Sequence, residues 1–367
     1  MWRWIILSTL SVQGLYISPF YVGTLVDELN FSAAQAGYIS GGEYASVALA
    51  GVYIFFMLDR LNWRNALVFC GLTSALANLF CIGVTDFSTV LILRIVAGFC
   101  YGTLYSMAFA LLGRSLLPER SFGWSMTMQS ILAALFLLLL PDLIKQWGIS
   151  AIYKLEMATI LPCIALALNL HQDKAGSTQK INKFGIGVFT TLSGLVFFSI
   201  AQGALWAFIE RIGNSAHLTA DYIGITLTAA TILGIAGGFA SALQSKTIGH
   251  KKALAAVFGG QTLSIFILWI TPDPTFYLVA ICLFNFLWIY AIAFQLGVVA
   301  LKDKSGKSCA LATTFQALGL AIGAALAGRL FEMNGNFDLV YLAILVTGAM
   351  SLYLITKPST VIVKQAC

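Results

Sequence analysis

Charge is what this chain has least of. Of its 367 residues only 10% are Asp, Glu, Lys or Arg, against 59% hydrophobic, and the mean hydropathy is +0.88. No water-soluble core hides that much apolar surface, so a soluble fold is excluded and the bilayer has to be the solvent. Histidine is scarce as well: His171, His217 and His250 all fall in loops, leaving no His/Cys cluster and no Ser-His-Asp arrangement. That removes the usual footing for an enzyme, a metal site or a bound cofactor, and none is expected. Seven cysteines (Cys70, Cys81, Cys100, Cys163, Cys282, Cys309, Cys367) show neither CxxC nor zinc spacing and read as small apolar residues. The glycine pairs Gly98-x-x-x-Gly102 and Gly319-x-x-x-Gly323 have no preceding strand and no Walker-type lysine, which excludes a nucleotide loop and points to close helix contact. No basic face is present for nucleic acid.

What the chain has is apolar runs. Twelve are of spanning length, at about 4–26, 37–58, 66–85, 89–112, 124–141 and 150–170, then 186–209, 222–243, 253–271, 275–300, 309–331 and 338–356. Each is near the ~20 residues that an α-helix needs to cross hydrocarbon and too long for a barrel strand. The start, Met1-Trp2-Arg3-Trp4, resembles a signal-peptide n-region, but no small-residue cleavage site follows and the run continues as the first span. Sixteen of the 21 basic residues fall on the side of the termini, among them Arg60, Arg64, Arg114, Arg120, Lys251, Lys252 and Lys307. The opposite side keeps Lys145, Lys154, Arg211 and Arg329, so the positive-inside rule predicts cytoplasmic termini.

A shift of 187 residues lays the chain over itself. Ser32-Ala33 leading to Gly37 falls on Thr219-Ala220 leading to Gly224, Asp86 on Asp273, Gln129 on Gln316, Gly148 on Gly335, and Arg64 and Arg120 on Lys251 and Lys307. The expected architecture is all-α and membrane-integral: twelve transmembrane helices in two six-helix bundles related by a parallel (6+6) pseudo-repeat. Residues 1–170 would form the N-terminal bundle, 171–185 a polar cytoplasmic linker, and 186–367 the C-terminal bundle with a short tail. Such halves place a substrate site at their interface near the midplane.

Between spans two and three, Asp59-Arg60-Leu61-Asn62-Trp63-Arg64 resembles the loop signature of the major facilitator superfamily, roughly G-x-x-x-D-R-x-G-R-R, with Phe55 in place of its leading glycine and Asn62 in place of the inner one. Leu91-Ile92-Leu93-Arg94-Ile95-Val96-Ala97-Gly98 is similar to the family's L-x-x-R-x-x-x-G pattern in span four, and Pro118-Glu119-Arg120 to the loop that follows it. The second-half loop from Lys246 to Lys252 keeps a glycine and basic residues but has lost the acid. The resemblance implies transport by alternating access. It also implies that Asp59, Arg60 and Arg64 form a cytoplasmic gate, and that spans one, four, seven and ten line the cavity with Tyr16, Phe20, Tyr101, Tyr105, Gln202, Trp206, Asn285, Trp288 and Gln295. Lipid-belt or packing use is the alternative for each aromatic residue. Gln129 and Gln316 join this set because a buried amide in hydrocarbon wants a partner, from substrate or from a neighbouring helix.

Charges at membrane depth are costly and usually functional. Glu43 is the deep acid, Glu156 a shallower one, and Arg94 lies at a depth similar to Glu43, so Glu43 and Arg94 are expected to pair and to serve proton coupling, the alternative being a fixed pair that locks spans two and four. Arg94 also favours an anionic or zwitterionic cargo. The expectation is therefore a proton-coupled secondary transporter, symporter or antiporter, of a small organic solute, monomeric and in a bacterial inner membrane. An efflux pump is the alternative, although span five lacks the family's antiporter motif G-x-x-x-G-P. The further alternatives are an uncoupled facilitator and a non-transporting receptor or scaffold.

Overall fold

The computed structural model describes residues 1–12, 14, 16–17, 21, 24–25, 27–31, 33–169, 186–245, 247–270 and 273–356. Phe20, the expected linker at 171–185, and Cys367 lie outside the described residues. Twelve helices follow in order: α1 (Trp2–Ser11), α2 (Ala33–Met57), α3 (Trp63–Cys81), α4 (Phe87–Gly113), α5 (Pro118–Trp147), α6 (Ser150–Leu168), α7 (Ile186–Ser215), α8 (Ala220–Gln244), α9 (His250–Ile270), α10 (Pro274–Lys302), α11 (Lys307–Asn334) and α12 (Asp338–Thr356). Helical residues recur beyond α1 at Gly14, Tyr16, Ile17, Tyr21, Thr24, Leu25 and Asp27. Among the described residues, eleven helices are long and apolar enough to cross a membrane. Several outrun their apolar runs, α5 by six residues at each end. Hydropathy marks where hydrocarbon ends, whereas the hydrogen-bonded ladder continues into the interface.

The repeat governs where helices begin and end. The starts of α2, α3 and α4 recur 187 residues later as those of α8, α9 and α10, and the last two pairs agree within two residues. Asp86 caps α4 by accepting from Thr89 N at 2.8 Å, and Asp273 caps α10 by accepting from Thr275 N at 2.8 Å. Gly148 (φ 57°) and Gly335 (φ 71°) end α5 and α11 in the left-handed region, where a side chain would be strained. Asn30 (φ 55°) and His217 (φ 58°), also one repeat apart, turn the chain into α2 and α8.

Apolar packing is different at the two ends of the molecule. At the end carrying Met1 and Thr356, both halves share one core: Ile5, Phe109, Leu112, Phe122 and Met126 pack with Leu192, Leu195, Leu296, Val299 and Cys309. At the far end there are two cores. Ile17, Tyr21, Ile39, Val90, Leu140 and Tyr153 belong to the first half alone, and Ile209, Ile223, Tyr277, Phe337 and Tyr341 to the second alone. The seam is closed at the terminus end, where α2 and α4 meet α11 and α5 meets α8 and α10.

Candidate functional site

The site is built on α4. Arg94 and Tyr101 stand seven residues, two turns, apart on one face, turned into the first bundle rather than toward the seam. Gly98 and Gly102 allow α2 to come close: a Cβ on Gly98 would lie 2.7 Å from Glu43 O, and one on Gly102 2.7 Å from Val47 Cα. Any larger residue there would push α2, and Glu43 with it, away from Arg94.

All five guanidinium N–H groups of Arg94 are engaged. Nε donates to Glu43 Oε2 at 3.0 Å and Nη2 to Glu43 Oε1 at 2.7 Å. Nη1 donates to Glu156 Oε2 at 2.7 Å and Nη2 to Glu156 Oε1 at 3.0 Å, and Nη1 also donates to Asn78 Oδ1 at 2.8 Å. The Tyr21 ring covers the guanidinium with its centroid 5.0 Å from Cζ, and the Tyr21 and Tyr153 hydroxyls meet at 3.3 Å. Tyr101 OH donates to Glu156 Oε2 at 3.2 Å and accepts from Asn78 Nδ2 at 2.5 Å. Arg94, Glu43 and Glu156 are 1%, 5% and 0% exposed, so charge must be balanced locally. One cation between two carboxyls leaves one net negative charge when both acids are ionised, and a single proton makes the cluster neutral.

The expected pair of Glu43 and Arg94 is present, and the cluster is larger than that pair. Glu156, expected to be shallower, is fully buried and shares Arg94 equally; Asn78 and Tyr101 complete it. The repeat of polar groups along α4 at Arg94 and Tyr101 was a usable signal for Tyr101. Nothing in the sequence pointed to Asn78, because one amide in an apolar run has no partner until α3 and α4 are packed.

The expected cavity residues separate into those held inside a bundle and those nearer its surface. Tyr101 is 3% exposed and belongs to the charge cluster. Gln202 on α7 exchanges hydrogen bonds of 3.3 and 3.4 Å with Gln261 on α9. Asn285 donates to Ala230 O on α8 at 2.6 Å, and Gln295 is buried among α7, α9, α10 and α12. These four are corrections to the cavity assignment. In hydrocarbon an unpaired polar group costs several kcal/mol, about 4–8 by transfer to cyclohexane, so Tyr101, Gln202 and Asn285 bond to other helices of their own bundle, whereas Gln295 is enclosed within its bundle with Oε1 unpartnered among the described residues. Gln129 is likewise held, accepting from Tyr16 OH at 3.1 Å and donating to Ser125 Oγ at 2.9 Å. Tyr105 and Gln316 are half-buried, and Trp206, 39% exposed, packs edge-on against Trp288 with centroids 5.7 Å apart.

At the terminus end, Asp59 joins the halves. It accepts from Arg114 Nη2 at 3.0 Å and pairs with Lys307 at the start of α11. Arg114 also donates to Ser305 O and lies over the Trp63 ring. Among the described residues no ion pair includes Arg60 or Arg64, so the acid of the motif is engaged and these two bases of it are not. Ser106 to Thr313 (2.9 Å) and Thr314 to Ala48 O (2.6 Å) add two bonds across the seam. Asp303 caps the turn into α11. Burial raises its carboxyl, but hydrogen bonds from Ser305 and Ser308 outweigh that and hold it below the ordinary carboxylate range.

Comparison with known proteins agrees with this arrangement. The outward conformation of the major facilitator superfamily transporter FucP overlays with a TM-score of 0.76 at 15% identity, covering 96% of this chain and 97% of that one. The proton:xylose symporter XylE overlays at 0.73 and 10% identity (96% and 94% covered), and a bacterial homologue of the iron transporter ferroportin, in its outward-facing state, at 0.77 and 13% (96% and 97%). At such identities the likeness shows the fold. No curated protein matches the chain in sequence. The Major Facilitator Superfamily model matches residues 4–190, just over half of the chain. Twelve helices, a parallel repeat, a charged loop at the seam and that match together make the chain an integral membrane protein of the major facilitator superfamily.

Proposed function

We propose that this protein is a proton-coupled secondary transporter that moves a small organic solute by alternating access, with Glu43 as the proton-binding group. The observation that carries the reading is the buried guanidinium shared by two carboxyls, a site one proton short of neutrality. Glu43 Oε1 lies against Gly14 of the first span, where a Cβ would come within 2.5 Å of it. Movement of that span during the transport cycle would change the access of Glu43 to water, which links proton occupancy to conformation. FucP and XylE are described as proton symporters, which supports coupling without identifying the cargo.

With the termini cytoplasmic, the shared core and the bonds of Asp59 close the cytoplasmic side, and the conformation is outward-facing. The two bundles, 1–170 and 186–367, rock about the central seam, joined by the linker at 171–185. Because every N–H of Arg94 is taken, the cargo is recognised by other groups, among them the Trp206–Trp288 pair, Tyr105 and Gln316. The location is a bacterial inner membrane, and the working unit is the monomer.

The test uses purified protein in proteoliposomes with an internal pH dye, challenged with organic acids, amino acids, sugars and lipophilic cations beside Glu43→Gln. Cargo-dependent proton flux that disappears in Glu43→Gln is the expected result. Cargo counterflow without proton movement would show an uncoupled facilitator, and binding with no flux at all a receptor.

A further inference from the structure

We infer that Tyr101 and Asn78 are positioning residues that keep Glu156 ionised, so that the cluster exchanges its proton at Glu43 alone and carries one proton per cycle. The inference rests on the proton-coupling reading and adds an assignment of the proton to one of two acids that share the same guanidinium.

The difference lies in what each carboxyl receives. Among the described residues Glu43 takes two hydrogen bonds, both from Arg94, whereas Glu156 takes two from Arg94 and a third from Tyr101 OH. The direction of the third bond is imposed. Asn78 Oδ1 accepts from Arg94, so its amide nitrogen faces the other way and donates to Ser74 O at 3.0 Å and to the Tyr101 oxygen. With its oxygen accepting from Asn78, Tyr101 directs its own proton at Glu156. Hydrogen bonds donated to a carboxylate favour its charged form, and three favour it more than two. A proton placed on Glu156 Oε2 would face the Tyr101 and Arg94 donors head-on, whereas at Glu43 it displaces bonds of Arg94 only.

Access separates the acids too. The Glu43 side chain keeps 6% of its surface open and Glu156 none. Glu43 adjoins the first span at Gly14, a position without a side chain, with Tyr44 OH near Gly14 O at 3.5 Å. The other titratable groups around the cluster are Tyr21 from the first span, Cys81 from α3 and Tyr153 from α6. None of these donates a hydrogen bond to either carboxyl. The assignment concerns which of the two acids holds the shared proton.

The experiment is infrared difference spectroscopy of the purified protein through a pH titration, following the C=O stretch of a protonated carboxyl in wild type, Glu43→Gln, Glu156→Gln and Tyr101→Phe. One pH-dependent band is expected in wild type and in neither Glu43→Gln nor Glu156→Gln, because each of these leaves Arg94 balanced by a single carboxylate. Tyr101→Phe keeps the ring and its packing, so it remains informative where a charge variant fails to fold; there the band should broaden into two components as Glu156 begins to share the proton. A band that survives Glu43→Gln overturns the assignment and leaves coupling intact, as does a Tyr101→Phe spectrum identical to wild type. The absence of any titrating carboxyl band in wild type overturns the proton-coupling reading itself.

Discussion

The two halves share a backbone plan and differ at its centre. Glu43, Asn78, Arg94, Tyr101 and Glu156 of the first half stand 187 residues before Ala230, Ile265, Ile281, Trp288 and Ala343 of the second. Ala230, Ile265 and Ile281 are among the most buried members of an apolar core. One scaffold thus holds a hydrogen-bonded charge cluster in one half and plain hydrocarbon in the same place in the other. The second half holds its helices together with no charge at these positions, so the cluster is not there for stability; buried ion clusters commonly do no better than apolar packing of the same volume. The helix contact beneath it is solved in mirror fashion. In the first half, glycines on α4 (Gly98 and Gly102) meet Glu43, Ser46 and Val47 on α2, whereas in the second, glycines on α8 (Gly234 and Gly237) meet Asn285, Phe286 and Ile289 on α10. Val47 and Gly102 correspond to Gly234 and Ile289: the small residue changes helix and the close approach remains.

The comparison can be broken most sharply at its charges. Arg94→Met strands two buried carboxyls and should lower stability by about 3–5 kcal/mol in detergent unfolding, with transport abolished. Ile281→Arg, the mirror change, should cost a similar amount. Adding Ala230→Glu and Ala343→Glu to it should recover part of the loss, and a triple variant no better than the single would mean that the two sites are not equivalent. Next comes Glu43→Gln: transport should lose its pH dependence, measured as initial uptake rate against external pH. Substitutions in the second-half core should leave the shape of that profile unchanged.

Smaller effects test the helix contact and the caps. Gly102→Ala places a Cβ against the Val47 backbone, and Gly237→Ala places one 2.3 Å from Phe286 O. Each should cost about 1–3 kcal/mol. Val47→Gly leaves the Val47 backbone in place, so although it copies the second half it should restore neither loss. The smallest change compares the turns into α3 and α9. Asn62 caps α3 by accepting from Asn65 N at 3.2 Å, and Asn62→Ala should cost about 1 kcal/mol. Gly249, its repeat-mate, has φ 70° with open space around it, so Gly249→Ala should cost about 1–2 kcal/mol through backbone strain alone. Asp303 adds a pH dependence. Its carboxyl lies below its ordinary value in the folded protein, so its contribution is complete above that ordinary range and is lost as pH falls through the lowered value. A pH-dependent weakening of the turn into α11, followed by hydrogen exchange at Ser305 and Ser308, should therefore appear only in acid.

Much of the fold was legible. The spans and the offset repeat follow from local chemistry that acts within a few residues, whereas the capping by Asp86 and Asp273 and the turns at Gly148 and Gly335 show in the structure. The pairing of Glu43 with Arg94 was legible because charges at one depth in hydrocarbon have few partners available. Glu156 was underrated because depth counted along a single helix says nothing of which faces of α6 and α4 come together. Tyr101, Gln202, Asn285 and Gln295 were assigned to the cavity by span number, yet the direction of a side chain depends on helix rotation.

The sequence by itself determined the bilayer as solvent, the number of spans, the two-fold internal repeat and the superfamily, because transfer energies and turn chemistry are properties of short segments. Only the tertiary structure decided that one guanidinium serves two acids, that Asp59 reaches Lys307 across the seam, and that most of the amides face inward. Those outcomes depend on which helix faces come together. In a medium that offers no water, a buried charge has to find its partner in the fold.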